Sequence, residues 1–193
     1  MPKPRTDARE RILRVADELF CREGVRAIGV DTIIAKSEVA KTTFYRYFPS
    51  KDDLVAAYLE GRNQQFWQLF DEVVNQYPDN PKQQLLALFR WFDELLAASE
   101  SYGCPFLMVA SEFPEIDHPG HQVAIAHKQQ LRDRITELVT LAGIQPAEEL
   151  SAALLLLGDG AFGELRLFRK PNNGISLEKA ATQMIAVYAN GIK

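Results

Sequence analysis

Apolar residues recur at intervals of three and four along most of this chain, and no stretch alternates apolar with polar over a strand's length. That pattern limits the chain to packed helices and predicts an all-α fold of about nine. Ile12, Val15, Ala16, Leu19 and Phe20 mark a first helix from Thr6 to about Arg22, stopped by Gly24. Short helices follow over Asp31 to Ser37 and Ala40 to Phe48. Pro49 ends the third, and Ser50 with Asp53 spells a capping box at the head of a long fourth helix reaching about Gln76. PDNP breaks it, and Asn80-Pro81 opens the fifth, to about Ser101. Pro105 to Phe113, His118 to Ala142, Pro146 to Phe168 and a Ser176-capped helix to about Asn190 complete the set.

Three helices at the front and longer ones behind suggest two regions, residues 1–50 and 51–193, joined at the capped start of the fourth helix. The 193 residues suffice for a core without disulfide or metal staples. Charge divides along the same line. Met1 to Lys51 carries 11 Lys/Arg against 7 Asp/Glu, whereas Asp52 to Lys193 carries 11 against 19. A basic head on an acidic body points to a polyanion met by the head alone.

Two cysteines, Cys21 and Cys104, are too few for a disulfide framework and form no C-x-x-C pair. The start, MPKPRTDARERI, has no apolar signal-peptide core, and Ala152 to Leu157 is too short to span a bilayer. The expectation is a cytoplasmic protein with reduced thiols and no membrane partner.

Wound at about 100° per residue, the third helix gathers Ala40, Phe44, Tyr47 and Phe48 in one sector. Lys41, Thr42, Tyr45 and Arg46 fall opposite, with Thr43 at the edge. The inner face packs. The outer face offers an ammonium, a guanidinium, hydroxyls and a phenol, which suit phosphates and base edges in a major groove. Taken alone, this chemistry also fits an ordinary solvated face. With the preceding short helix and turn it makes a helix-turn-helix.

Val30 to Leu59, VDTIIAKSEVAKTTFYRYFPSKDDLVAAYL, resembles the helix-turn-helix of the TetR family of bacterial transcriptional repressors. Val39 to Lys51 follows the family's V-x-K-x-T-x-Y-x-x-F-x-x-K pattern, and Phe20 to Gly24 its F-x-x-x-G. The resemblance implies DNA contacts from Lys41, Thr42, Thr43, Tyr45, Arg46, Tyr47 and Lys51, with Phe44 and Phe48 in the core. It implies a homodimeric repressor, not an enzyme, released from a palindromic double-stranded operator by a small apolar or aromatic effector. One departure is Glu38, where the family usually has glycine. A left-handed backbone there costs a non-glycine residue about 1 kcal/mol.

In the body, Leu150, Leu154, Leu157, Ala161, Leu165 and Phe168 form one stripe; Leu177, Ala181, Met184, Tyr188 and Ile192 form another. The resemblance implies that part of this surface, with Leu154, Leu157, Ala161, Leu165, Leu177, Ala181, Met184 and Tyr188, forms a four-helix dimer interface. Gly158, Gly160 and Gly163 would allow close approach. The middle helices are rich in large side chains. Phe66, Phe70, Trp91 and Phe106, with Glu112, His127 and Asp159 as orienting polar groups, are the candidate effector pocket.

Competing motifs are weaker. Gly158 to Gly163 spells G-x-G-x-x-G without the strand a dinucleotide site needs. His118, His121 and His127 lack the i, i+4 spacing of a helical zinc site, and the first two read as helix-start surface residues. Cys104 before Pro105 sits at a helix start that would lower a thiol's pKa, but it reads as a small residue at a cap or pocket wall rather than as a nucleophile. No metal or cofactor is expected. An enzyme or cofactor carrier on a helical bundle would show bound metal or nucleotide, and a pure assembly module would dimerise without binding nucleic acid.

Overall fold

The computed structural model describes residues 7–98, 102–170 and 174–190. Among them are nine helices and no strand: α1 Ala8–Glu23, α2 Val30–Ser37, α3 Lys41–Tyr47, α4 Lys51–Val74, α5 Pro81–Ala97, α6 Pro105–Glu112, α7 Pro119–Leu141, α8 Ala147–Phe168 and α9 Leu177–Ala189. The expected order stands, with ends moved by a residue or two in most cases. The expected start of α1 at Thr6, end of α5 at Ser101 and dimer-stripe residue Ile192 lie outside the described residues.

The helix ends follow local chemistry. Asp7 caps α1, its side chain accepting from the Arg9 N–H, and Gly24 stops the helix at φ 90°. Asn80 accepts from the Gln83 N–H ahead of Pro81, and Ser176 from the Lys179 N–H ahead of α9. At the head of α4, Asp53 N–H donates to Ser50 Oγ at 3.1 Å and Ser50 N–H donates back to Asp53 Oδ2 at 2.9 Å. This is the predicted capping box.

The chain divides into two compact units, Met1–Asn63 with Pro105–Ile125, and Gln64–Cys104 with Ala126–Lys193. In the first, α1, α2 and α3 pack around Ile12, Leu19, Phe20, Ile33 and Phe44, each at most 1% exposed. The start of α4 adds Leu54, Val55 and Leu59, all buried. Arg62 Nε donates to Asp17 Oδ1 at 2.5 Å, tying α4 to α1. In the second unit α5, α8 and α9 pack on one another, and Phe70, Leu88, Phe89, Ile135, Leu150, Leu154 and Ala181 form its centre. Burying a Leu or Phe side chain stabilises by about 1.5–3 kcal/mol relative to exposure, so these side chains hold each unit together.

The α8/α9 segment corrects the sequence expectation. Leu154 and Ala181 have no accessible surface, and Leu165 and Leu177 only 3% and 4%. Residues with no surface left in one subunit have nothing to bury against another. These four stripe residues therefore face the subunit's own core, whereas Leu157, Ala161, Met184 and Tyr188 are half-buried and Phe168 is exposed. G-x-G-x-x-G lies mid-helix in α8, with no strand beside it among the described residues.

Candidate nucleic-acid interface

The reading element is built on two buried rings. Phe44 and Phe48 are 0% and 2% exposed with centroids 6.0 Å apart, anchoring α3 by its inner face. Lys41, Thr42, Tyr45 and Arg46 are exposed, while Thr43 and Tyr47 are half-buried. The division of the helix into a packed and a solvent face is thus the predicted one at every position but Ala40. Ala40 is exposed because it precedes the helix in extended backbone, φ −68° and ψ 145°, where helical periodicity does not apply.

The turn between α2 and α3 is a left-handed helix stop. Glu38 adopts φ 53° and ψ 44°. Val39 N–H reaches Ile34 O at 3.4 Å and Glu38 N–H reaches Ala35 O at 3.3 Å, the paired bonds of a Schellman motif. The residue at its left-handed position is ordinarily glycine, and here a carboxylate side chain stands there, exposed. Arg11 Nε donates to Ser37 O at 3.3 Å and fixes the end of α2 to α1.

Several candidate contact residues already have intramolecular partners. Lys41 Nζ lies 3.3 Å from Asp31 Oδ1, both exposed. Tyr47 donates its hydroxyl to Asp7 Oδ1 at 3.2 Å, and the Arg46 guanidinium lies 5.1 Å from the Tyr47 ring centroid. The acidic partners Asp31 and Asp7 escaped the sequence reading, because pairs 10 and 40 residues apart leave no periodic trace.

Lys51, half-buried at the first turn of α4, donates from Nζ to Val25 O at 2.7 Å. Burial pushes its pKa down, while the Glu112 and Asp52 carboxylates hold it up. Glu112 belongs to this unit. Its Oε1 accepts from Val25 N–H at 3.1 Å and its Oε2 from Arg26 N–H at 2.6 Å. Beside it the Arg26 guanidinium sits 5.0 Å from the Phe113 ring, on which His118 stacks at 4.2 Å. The His118 side chain is 9% exposed, not a surface group as the sequence suggested. Its Nδ1 accepts from Gly120 N–H at 3.1 Å, leaving Nε2 3.4 Å from Asp52 Oδ1.

The candidate pocket residues separate. Phe66, Phe70, Trp91 and His127 come together in the second unit, joined by Trp67 and Phe92. His127 meets the Phe66 ring edge-on at 4.8 Å and is 3% exposed. Burial, then the neighbouring Lys128 ammonium, pushes its pKa down to about 3, so it is neutral at pH 7. Arg134 lies 4.9 Å from the Phe70 ring and pairs with Asp71 at 3.0 Å. Asp159 is taken by Lys128. Phe106 and Glu112 belong to the other unit.

The outer surface of α8 and α9 keeps large apolar groups. Leu156 is 75% exposed, Leu167 74%, Phe168 59% and Val187 56%. Leu156, Gly160, Gly163 and Leu167 repeat at helical spacing, and a Cβ added at either glycine would meet nothing within 4 Å. An open cavity of about 350 Å³ lies beside this stripe, lined by Asp93, Leu156, Leu157, Ala161 and Leu177 among others. Asp93 accepts the Leu177 and Glu178 N–H groups, each at 2.8 Å, and so caps α9 from α5. Among the described residues no helix is long and apolar enough to cross a membrane.

Residues 12–58 match the family described as "Bacterial regulatory proteins, tetR family". The chain is 29% identical over 84 residues to the HTH-type transcriptional repressor NemR of Escherichia coli K12, a match spanning 44% of this chain and only 42% of NemR. It is 24% identical over 192 residues to the HTH-type transcriptional repressor KstR2 of Rhodococcus jostii RHA1, covering 95% of this chain and 90% of KstR2. The crystal structure of SCO4454, a TetR-family transcriptional regulator from Streptomyces coelicolor, superimposes with a TM-score of 0.85 at 28% identity, covering 96% of this chain and 95% of that one.

Proposed function

The chain belongs to the TetR family of transcriptional regulators, and from that premise we propose that it is a cytoplasmic, homodimeric repressor whose hold on a palindromic operator is released by a small apolar or aromatic effector. The observation that carries the reading is the division of α3. Two rings at most 2% exposed fix it, and Lys41, Thr42, Tyr45 and Arg46 stand on its open side. Thr42 and Thr43 are the base readers in this scheme, Lys41, Arg46 and Lys51 the phosphate anchors, and Tyr45 and Tyr47 serve either.

Residues 1–50 are the proposed reading domain and 51–193 the effector and dimerisation domain, a division by role that differs from the packing units, in which Lys51–Asn63 and Pro105–Ile125 belong with the head. The dimer is supported by the exposed apolar residues of α8 and α9, Leu156, Leu167, Phe168 and Val187, rather than by buried Leu154, Leu165, Leu177 and Ala181. Leu157, Ala161, Met184 and Tyr188, half-buried, remain candidates at its border. A two-fold axis there would set two heads on half-sites about 34–36 Å apart. The effector site is supported by the aromatic cluster around Phe66, Trp67, Trp91 and neutral His127, which suits a planar apolar guest. Release requires the effector to prefer a conformer that binds DNA poorly.

A fluorescence-anisotropy titration with labelled random-sequence duplex tests the premise. Affinity that falls steeply between low and high salt supports phosphate anchoring by the head. Absence of binding at low salt by the folded protein contradicts it.

A further inference from the structure

One peptide unit in the reading head is gripped from both sides. The Val25 carbonyl accepts from Lys51 Nζ at 2.7 Å, and the Arg26 N–H of the same peptide group donates to Glu112 Oε2 at 2.6 Å. The preceding amide, Val25 N–H, donates to Glu112 Oε1 at 3.1 Å. Two successive amides aimed at one anion make a backbone nest, and the chain fills it with a carboxylate contributed from 86 residues downstream. Gly24 makes room for this. Its φ is +90°, and a Cβ there would stand 2.8 Å from Glu112 Oε1. Charge-assisted bonds of this kind are about twice as strong as neutral ones.

We propose that Glu112 is a positioning residue for DNA binding: seated on the Val25 and Arg26 amides, it fixes the carbonyl that aims the Lys51 ammonium at a phosphate. The inference rests on the DNA-reading function proposed above. Lys51 has three N–H donors, of which Val25 takes one, leaving the others for an anion outside the protein. The half-buried ammonium gains from the carboxylate as well as from the carbonyl, since Glu112, ahead of Asp52, is the opposing charge that most favours its charged form. α6 thus reaches the phosphate-binding group through a single peptide, and the head's grip depends on where α6 holds its last residue.

The test uses the full-length protein and a duplex retained by the wild type from a random pool. Glu112→Gln keeps the shape but replaces one acceptor oxygen with an NH2 that cannot accept. It is expected to weaken binding about tenfold and to reduce the slope of log K against log salt by about 1, as Lys51→Ala does. The double variant is expected to bind within twofold of Lys51→Ala alone. A merely structural Glu112 would lower the thermal midpoint and leave the salt slope unchanged. Wild-type affinity in Glu112→Gln, or additive losses in the double variant, overturns the proposal while leaving the DNA-reading function intact. A wild type that retains no duplex overturns both. Independently of any variant, amide hydrogen exchange in the wild type should show Val25 and Arg26 protected both free and DNA-bound. Loss of that protection on DNA binding also overturns the proposal.

Discussion

Ser50 and Asp53 cap α4 reciprocally, with bonds of 3.1 and 2.9 Å between each side chain and the other's backbone N–H. The pair stands where the reading helices give way to the long helix that follows, so it fixes the direction in which α4 leaves Pro49. Ser50→Ala should cost about 1 kcal/mol of stability, measured by urea unfolding. Its DNA affinity at saturating folded protein should stay within a few-fold of wild type, since neither side chain lies on the outer face of α3.

Glu38 holds a left-handed conformation that glycine adopts freely. Glu38→Gly should raise stability by up to about 1 kcal/mol and tighten DNA binding by also removing an acid beside α3. Glu38→Gln separates the two effects: it should reproduce the tighter binding without the gain in stability. Urea unfolding and anisotropy on the same samples read both.

Thr42 and Lys51 should divide specificity from affinity. Thr42→Ala is expected to broaden the set of sequences retained from a random pool, whereas Lys51→Ala should weaken all sequences alike and lower the salt slope by about 1. Unchanged specificity in Thr42→Ala would remove Thr42 from the base readers.

His127 should give stability an acid limb. Its pKa is about 3 in the fold against roughly 6.5 in an unfolded chain. Between those values the unfolded chain binds a proton that the folded chain refuses, so stability rises with pH across that window. The contribution is complete above about pH 6.5 and is lost as pH falls toward 3, by up to about 1.4 kcal/mol per pH unit. His127→Phe should flatten this limb in thermal unfolding followed from pH 7 to pH 4.

Leu156 and Leu154, two residues apart on α8, should behave oppositely. Leu156→Glu, at a site 75% exposed, should leave the fold stable and shift sedimentation from dimer toward monomer. Leu154→Ala, at a site with no accessible surface, should cost about 2–5 kcal/mol of folding stability.

Local structure was legible in the sequence because its causes are local. Helix order, the Ser50–Asp53 cap and the buried rings of α3 all follow from residues within one or two turns of each other. The left-handed turn at Glu38 was legible only through the family resemblance. On α8 and α9 spacing identifies an apolar face but not whether its partner is the same subunit or another, so buried Leu154, Leu165, Leu177 and Ala181 cannot be told from their half-buried neighbours. The exposed stripe is interrupted by Gly160 and Gly163, which carry no hydrophobic signal. Glu112 reads as a pocket residue in the sequence because its donors, the Val25 and Arg26 N–H groups, lie 87 and 86 residues away and nothing in the sequence links them. Asp93 capping α9 from α5 is hidden for the same reason.

The most direct test of the account is selection of the full-length protein against a random duplex-DNA pool at two salt concentrations, followed by sequencing of what it retains. The account predicts a palindromic motif whose half-sites lie about one helical turn apart, with recovery that falls sharply at the higher salt. A folded protein that enriches no sequence at the lower salt would contradict it.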